Sequence, residues 1–512
     1  MEMNITKESL YEIKEKAKAT FLKYEKAFYV VGIIIAFVAY FFLNFPAALY
    51  KGGRWDLYEH IAMADRYLEG KGFYYSPTEA SSPYFPGIGF LAVIIGSIFH
   101  ECRDYILLII ASLIGTSFYV VLIHISSEFT KKKWLSLICV SFFMFRYFPV
   151  YKFYMNEFKG DTLVYLYCYI IILLIKRING TNSRRIIEYV LLFFFSFLMD
   201  ITKQQALYID VALGLYILFS RNIPVHNKVY LLITMISAGI LDVLILFNIK
   251  GMKLLAIDNL KNMPYFSEDV CINDIIRVNT ENNILIIFCI ISIIYVLCIK
   301  KSADQIFWMW LTSAIMILMA QVAGGMKIGG NLGNYEAGLV MFVAFPGIII
   351  DRIIEYMFNK KHIYWLYLIV LAVMFSKAID RTMLGMASTM VYFMNKPQSS
   401  SEEYLAAHYS GEKCMYDSDH YMLIERSGMI PDFDIYTVPI NCKEYFDLTR
   451  NTIEKKKYDV LIINSEDLKT FDEQIYEYFG YNPHSYEALI NNYRLSISDD
   501  MPEELLGRIF VK

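Results

Sequence analysis

Residues 229–249 read VYLLITMISAGILDVLILFNI, and Asp242 is the one charged residue among them. An apolar run of about 20 residues is long enough to cross the roughly 30 Å hydrocarbon core of a bilayer as a helix. The stretch therefore predicts a transmembrane helix. A packed, hydrogen-bonded acid accounts for Asp242 inside it.

Similar apolar runs occur along most of the chain. Together with 229–249 they predict about eleven crossings, at 27–45, 106–126, 134–150, 161–176, 186–199, 206–219, 284–299, 306–323, 337–350 and 364–376. Several are shorter than a perpendicular span requires, so we expect their ends to extend into flanking polar residues.

Composition agrees with an integral membrane protein. Of 512 residues, 56% are hydrophobic and 19% charged, whereas soluble domains carry about 45–50% and 25%. The net charge of −3 and the lack of a basic tract with exposed aromatic residues indicate no nucleic-acid partner.

Basic residues set the predicted orientation, because short loops rich in lysine and arginine stay in the cytoplasm. With residues 1–26 inside, each loop assigned to the cytoplasm is basic, for example Lys131–Lys133 and Lys300/Lys301. The loops assigned outside are 46–105, 151–160, 200–205, 250–283 and 324–336, followed by everything from residue 377. The predicted organisation is a cytoplasmic segment 1–26, a transmembrane module 27–376 with outer loop 46–105, and an extracytoplasmic domain 377–512.

The stretch from Pro86 to Phe99 breaks this alternation if it is counted as a span. Its fourteen residues are short for a crossing. We interpret it as re-entrant or partial, with an ordinary helix paired with another as the alternative, which would bring the count to 12–13.

From about Ser399 the sequence becomes charged and turn-rich. The run Tyr458-Asp-Val-Leu-Ile-Ile-Asn464 resembles a buried strand followed by a helix N-cap, which predicts a small α/β domain. Cys414 and Cys442 lie in this tail. In an exported domain they could form a disulfide, but their separation alone does not establish one, and we interpret them as free thiols.

The first outer loop contains Lys51-Gly-Gly-Arg-Trp-Asp56, followed from Tyr58 by a pattern with helical spacing. Asp56 at the start of that helix is either an N-cap or a carboxylate that takes a proton from an incoming hydroxyl at the membrane surface. His60, one turn further, belongs to a solvated face more readily than to a metal site.

Charged residues also mark the second and third outer segments. Glu157 and Asp161 precede a membrane helix, where a cap and an interfacial charge compete with an acceptor- or ion-binding cluster. Lys203 lies outside, against the usual bias, so it either binds an anionic phosphate or pairs with Asp200.

The fourth outer segment, Gly324-Gly-Met-Lys-Ile-Gly-Gly-Asn-Leu-Gly-Asn334, is rich in glycine. Glycines at this density let backbone N–H groups approach an anion, with charge from Lys327 and amide donors from Asn331 and Asn334. The next helix, expected to begin near Tyr335, adds a favourable N-terminus. The loop lacks the Gly-Lys-Ser/Thr ending of a nucleotide-binding loop. A lipid-linked phosphate therefore fits better.

Taken in order, these motifs resemble the GT-C superfamily of polyprenyl-phosphate-sugar glycosyltransferases, including protein O-mannosyltransferases and the aminoarabinose transferases of lipid A. The resemblance rests on Asp56, Tyr84-Phe-Pro-Gly87, Asp161, Thr202-Lys203 and the lysine- and asparagine-containing loop. It implies an all-α polytopic membrane protein of GT-C type with a small C-terminal α/β extracytoplasmic domain, in the plasma membrane.

The resemblance also implies roles. Asp56 is expected to be the catalytic acid, Asp161 or Glu157 a second acid, and Lys203 and Lys327, with Asn331 and Asn334, the donor-phosphate ligands. The expected reaction transfers a sugar from a polyprenyl-phosphate donor to a glycan, lipid or protein acceptor. The configuration at the sugar's reacting carbon is inverted in the transfer. No metal ligands are assigned, and a divalent metal stays open. The alternatives are a surface-polysaccharide polymerase or ligase, and a transporter or flippase of lipid-linked sugars.

Overall fold

The computed structural model describes residues 27, 29–45, 54–70, 72–73, 85–148, 160–180, 186–249, 268–300, 304–325, 332–359, 399–416, 420–434 and 443–512. The helices of its membrane module are α1 (Tyr29–Phe45), α2 (Arg54–Leu68), α3 (Pro86–Ile98), α4 (Arg103–Phe129), α5 (Lys133–Tyr147), α6 (Asp161–Gly180), α7 (Ile186–Thr202), α8 (Ala206–Phe219), α9 (Val225–Asn248), α10 (Glu268–Glu281), α11 (Asn283–Tyr295), α12 (Gln305–Gly325), α13 (Leu332–Leu339) and α14 (Pro346–Asn359).

The chain is a multi-pass membrane protein. Among the described residues, five helical stretches are long and apolar enough to cross a bilayer, and the helix pair bent by 81° between Glu281 and Asn283 makes a sixth if it forms one span. Ten of the eleven predicted spans coincide with helices, while 364–376 lies outside the described residues. The number of crossings remains a prediction.

Helix α3 forms within the stretch that breaks the predicted alternation. Pro86 occupies its first turn, where a missing N–H costs nothing and the fixed φ suits a helix. Its 13 residues rise only about 20 Å, less than the hydrocarbon core. This length agrees with a partial or re-entrant segment.

The C-terminal region is the expected small α/β domain. Its elements are α15 (Ser399–Tyr409), β1 (Lys413–Tyr416), α16 (Tyr421–Arg426), β2 (Ile430–Asp434), α17 (Lys443–Glu454), β3 (Val460–Ile462), α18 (Ser465–Phe479), α19 (Ser485–Asn492), β4 (Arg494–Leu495) and β5 (Ile509–Val511).

One sheet organises this domain, with strand order β2-β1-β3-β5-β4. The first three strands are parallel, and β5 is antiparallel to both its neighbours. As the sequence predicts, β3 leads into a helix capped by Asn464, whose side chain accepts a hydrogen bond from the Glu466 amide. Cys414 is buried in β1, and Cys442 lies outside the described residues, so their pairing is untested.

Candidate functional site

The outer segments converge at the start of α3. A β-carbon at Gly87 would lie 2.8 Å from the carbonyl oxygen of Ile201, so the first turn of α3 packs directly on the end of α7. Gly160 precedes α6 with φ of +80°, and a β-carbon there would meet Ile88 and Thr202 at 3.2 Å. The first, second and third outer segments therefore meet at one point.

Asp161 lies at this point as the first residue of α6. It exposes 3% of its surface, and both of its carboxylate oxygens accept hydrogen bonds. Lys203 Nζ, from the turn between α7 and α8, lies 2.6 Å from Oδ2, and Gln321 Nε2 of α12 lies 2.7 Å from Oδ1. A carboxylate accepts only, so the amide nitrogen of Gln321 must be the group that faces Asp161.

Tyr165 continues this network by one helical turn. Gln321 Nε2 lies 3.5 Å from its hydroxyl, which donates to the carbonyl oxygen of Ala337 in α13 at 2.9 Å. Helices α12 and α13 flank the glycine-rich segment, so the network ties that segment's two ends to Asp161. All four predicted outer segments thus approach the same site.

Helix α2 brings Asp56 toward this end of the molecule. A β-carbon at Gly89 would lie 3.4 Å from Met63, and one at Gly96 would lie 3.7 Å from Leu68. The later residue of α3 contacts the later residue of α2, so the two helices run parallel. The start of α2, which contains Asp56, is therefore at the same end as the start of α3.

Two details differ from the sequence prediction. Helix α2 begins at Arg54 instead of Tyr58, so Asp56 lies inside the first turn and not ahead of it. A carboxylate in the first turn of a helix is stabilised by the positive end of the helix dipole. Lys203 pairs with Asp161 and not with Asp200, because the α7–α8 turn directs it toward α6.

The remaining predicted ligands are only partly described. Glu157, Lys327 and Asn331 lie outside the described residues, and of Asp56 and Asn334 the structure describes the backbone alone. The helix expected near Tyr335 begins at Leu332, so Asn334 lies in its first turn. Their assignment to the site stays a prediction.

Three further acids meet beside this site. Asp200 of α7, Asp210 of α8 and Asp242 of α9 lie close enough to interact electrostatically. Asp242 exposes 3% of its surface, and no donor among the described residues reaches either of its oxygens. We call these three residues the acid triad.

The fold can be placed among known proteins. No family model matches the chain, and no curated protein sequence does. A structure of ArnT from Cupriavidus metallidurans bound to undecaprenyl phosphate matches 94% of this chain and 97% of its own, with a TM-score of 0.54 and 10% identity. The chain has the GT-C fold.

The archaeal oligosaccharyltransferase AglB from Archaeoglobus fulgidus shares the GT-C fold with this chain. Its complex with an inhibitory peptide and a dolichol-phosphate matches 91% of this chain and 72% of its own, with a TM-score of 0.51 and 11% identity. A structure of an Archaeoglobus fulgidus oligosaccharyltransferase tethered to an acceptor peptide matches 92% of this chain and 72% of its own, with a TM-score of 0.54 and 11% identity.

Sequence reasoning missed Gln321 and Tyr165, which belong to the same network as Asp161. Both are buried inside apolar helices, where a polar side chain in lipid must find a partner. Gln321 could have been noticed, since it is the one amide in the interior of α12. Its partner could not be known before the helices were packed.

Among the described side chains, no group of three or more His, Cys, Asp or Glu residues, the acid triad included, has an arrangement that could hold a metal ion. Asp161, the one predicted site acid whose side chain is described, has hydrogen bonds to both oxygens. The other two predicted site acids are Asp56 and Glu157, whose side chains lie outside the described part of the structure. Whether the protein needs a metal ion is tested by chelation.

Proposed function

We propose that this protein is an inverting glycosyltransferase that moves a sugar from a polyprenyl-phosphate donor to a hydroxyl group of a glycan, lipid or protein acceptor at the outer membrane surface. The observation that supports it most is the Lys203–Asp161–Gln321 network at the meeting point of the outer segments. The GT-C fold supports the same chemistry, because its solved representatives are transferases in complex with lipid phosphates.

Lys203 is the donor-phosphate ligand in this proposal. Its ammonium group carries three donors, of which Asp161 occupies one, and its side chain keeps 14% exposure. A fixed cation stabilises the charge that grows on the phosphate oxygen as its bond to the sugar carbon breaks. Asp161 then orients Lys203. Its proposed role is that of a positioning residue, whereas the sequence predicted a second acid at Asp161.

Asp56 is the general base. The acceptor oxygen attacks the sugar carbon from the face opposite the phosphate, and Asp56 takes the acceptor proton as the new glycosidic bond forms. One displacement inverts the configuration, and the phosphate leaves with the bonding electrons. Lys327, Asn331 and Asn334 add phosphate donors from the glycine-rich segment.

The orientation follows from the basic loops, with the N-terminus in the cytoplasm and the C-terminal domain outside. An energised lipid-linked donor allows transfer there without ATP. A surface-polysaccharide polymerase or ligase would share this donor chemistry and differ in its acceptor, whereas a flippase would move the donor without breaking its phosphate bond.

The test is transfer by the purified protein in proteoliposomes, with a panel of polyprenyl-phosphate sugars and glycan, lipid and peptide acceptors. We expect Asp56→Asn to abolish transfer and Lys203→Met to reduce it at least 100-fold, the usual scale for one electrostatic donor. Asp242→Asn is the matched control, a carboxylate-to-amide change in the same module that should leave transfer intact.

Full activity in Asp56→Asn would remove the proposed base. If no donor is consumed while the intact donor crosses the bilayer, the flippase alternative replaces the transferase. Chelation with EDTA, followed by addition of Mg²⁺ or Mn²⁺, separates metal-dependent from metal-independent transfer in the same assay.

A further inference from the structure

The C-terminal domain contacts the membrane module through Arg103, the first residue of α4. Arg103 exposes 1% of its surface, and its guanidinium binds both carboxylate oxygens of Asp65 on α2, with Nη2 2.9 Å from Oδ2. Helix α3 covers the pair, since a β-carbon at Gly96 would lie 3.1 Å from Arg103 Cδ. A two-pronged pair of this kind fixes direction as well as distance.

Helix α16 of the C-terminal domain completes this contact. Tyr421 donates its hydroxyl hydrogen to Oδ2 of Asp65, and Glu425 Oε1 lies 3.5 Å from Arg103 Nη2. Burial and the neighbouring Asp65 raise the pKa of Tyr421 well above its usual range, so the phenol keeps its proton and remains a donor. Asp65 is therefore held from α4 and from the C-terminal domain at once.

A second ion pair and apolar packing reinforce the contact. Arg426 binds Asp104 of α4 and lies 3.2 Å from Glu402 of α15. Apolar residues of α2 and of the C-terminal domain belong to one continuous buried cluster, which includes Leu57, Tyr58, Ile61, Ala64, Tyr404, Leu405, Tyr416, Tyr421 and Ile424. The side of α2 is thus packed along its length, and its last turns are tied by hydrogen bonds.

The tie and the site occupy opposite ends of α2. Asp65 and Asp56 are nine residues apart, which is about 14 Å along a helix. A helix fixed in direction at one end carries its other end to a defined place. We propose that the C-terminal domain is an anchor for the catalytic helix, with Arg103 and Tyr421 as positioning residues that hold α2 so that Asp56 reaches the acceptor.

The proposal rests on the proposed function for the role of Asp56, but the anchor can be measured without it. Tyr421→Phe removes one hydrogen bond and keeps the ring. Tyr409→Phe is the matched control, because the Tyr409 hydroxyl bonds Ser496 at 2.9 Å within the C-terminal domain. Hydrogen–deuterium exchange of residues 54–68 is compared in the full-length wild type and both variants.

We expect Tyr421→Phe to speed amide exchange in α2 about tenfold or more, the effect of losing a hydrogen bond to a carboxylate. In the transfer assay kcat should fall by a similar factor while KM for the lipid-linked donor stays unchanged. Tyr409→Phe should alter neither quantity. Arg103→Lys, which keeps the charge and loses the fork, should behave like Tyr421→Phe.

Unchanged exchange in α2 of Tyr421→Phe would overturn the anchor, whatever the activity. A rise in donor KM with unchanged kcat would also overturn it, since α2 would then serve donor binding and not the position of the base. If exchange rises as expected while the wild type transfers no sugar, the anchor stands and the proposed function fails.

Discussion

Asp161 and Asp242 are equally buried, at 3% exposure each, yet their surroundings are opposite. Asp161 has a cation on one oxygen and an amide donor on the other. Asp242 has no donor from the described residues and belongs to the acid triad. A low-dielectric interior tolerates the first charge and opposes three adjacent charges. The buried acids of the described residues are therefore of two kinds, those with hydrogen-bond donors and those without.

The largest effect on the free energy of unfolding should come from removing the cation that pairs with Asp161. Lys203→Met leaves the Asp161 carboxylate buried without its cation, and breaking a buried pair by one partner typically costs about 3–5 kcal/mol. We expect the free energy of unfolding in detergent to fall by that amount, as measured by urea or thermal unfolding of the full chain.

The double variant Asp161→Asn with Lys203→Met separates structure from chemistry. Removing both charges should restore most of the lost stability, because no uncompensated charge remains. Transfer should stay at least 100-fold below that of the wild type, since the phosphate ligand is still missing. Equal destabilisation in the single and double variants would show that Asp161 does not depend on Lys203.

The opposite sign is expected in the acid triad. Asp242→Asn replaces one of three adjacent acids by an amide that can donate to Asp200, so unfolding should cost about 1.5–3 kcal/mol more, the scale of a hydrogen bond to a charged group. The change is read from the melting temperature in detergent. A lower melting temperature would mean that the triad is compensated after all.

A pH-dependent effect is expected from a half-compensated acid in the C-terminal domain. Asp472 Oδ2 accepts from the Tyr486 amide at 2.8 Å, while Oδ1 has no donor among the described residues. Burial raises the pKa of Asp472 from 3.8 to about 6, with backbone hydrogen bonds opposing the shift. The folded chain thus holds this proton at pH values where the unfolded chain has released it.

The stability due to Asp472 is therefore fully present below pH 3.8, declines as the pH rises to about 6, and is constant above. We expect the difference in melting temperature between wild type and Asp472→Asn to change over that interval and to be flat from pH 7 to 8. A difference that does not vary between pH 4 and 6 would contradict the raised pKa.

Much of the fold follows from the sequence, because apolar length and basic loops are local properties. The run at 229–249 corresponds to α9, and the Pro86 stretch to a short helix, without any knowledge of packing. The α/β domain was predicted from Tyr458–Asn464, because a strand followed by a helix N-cap is also a local pattern in the sequence. The bend between α10 and α11 has no such signal.

The site was predictable only as a set of segments. Lys203 could be singled out because a lysine is unusual in a segment predicted to lie outside, and Asp161 because it is an acid at the start of a membrane helix. Their mutual pairing depends on how α7 packs against α6. Gln321, the acid triad and the Arg103 contact are pairings between distant helices. Spacing along one helix does not determine such pairings.

The Tyr421–Asp65 contact has a consequence for the order in which the protein matures. The two residues are 356 positions apart, so α2 is synthesised long before the domain that ties it. Closing a contact of this range comes late in folding. In the nascent chain α2 would thus lack this contact until the C-terminal domain has been synthesised, and stalled chains ending near residue 400 should show α2 open to protease.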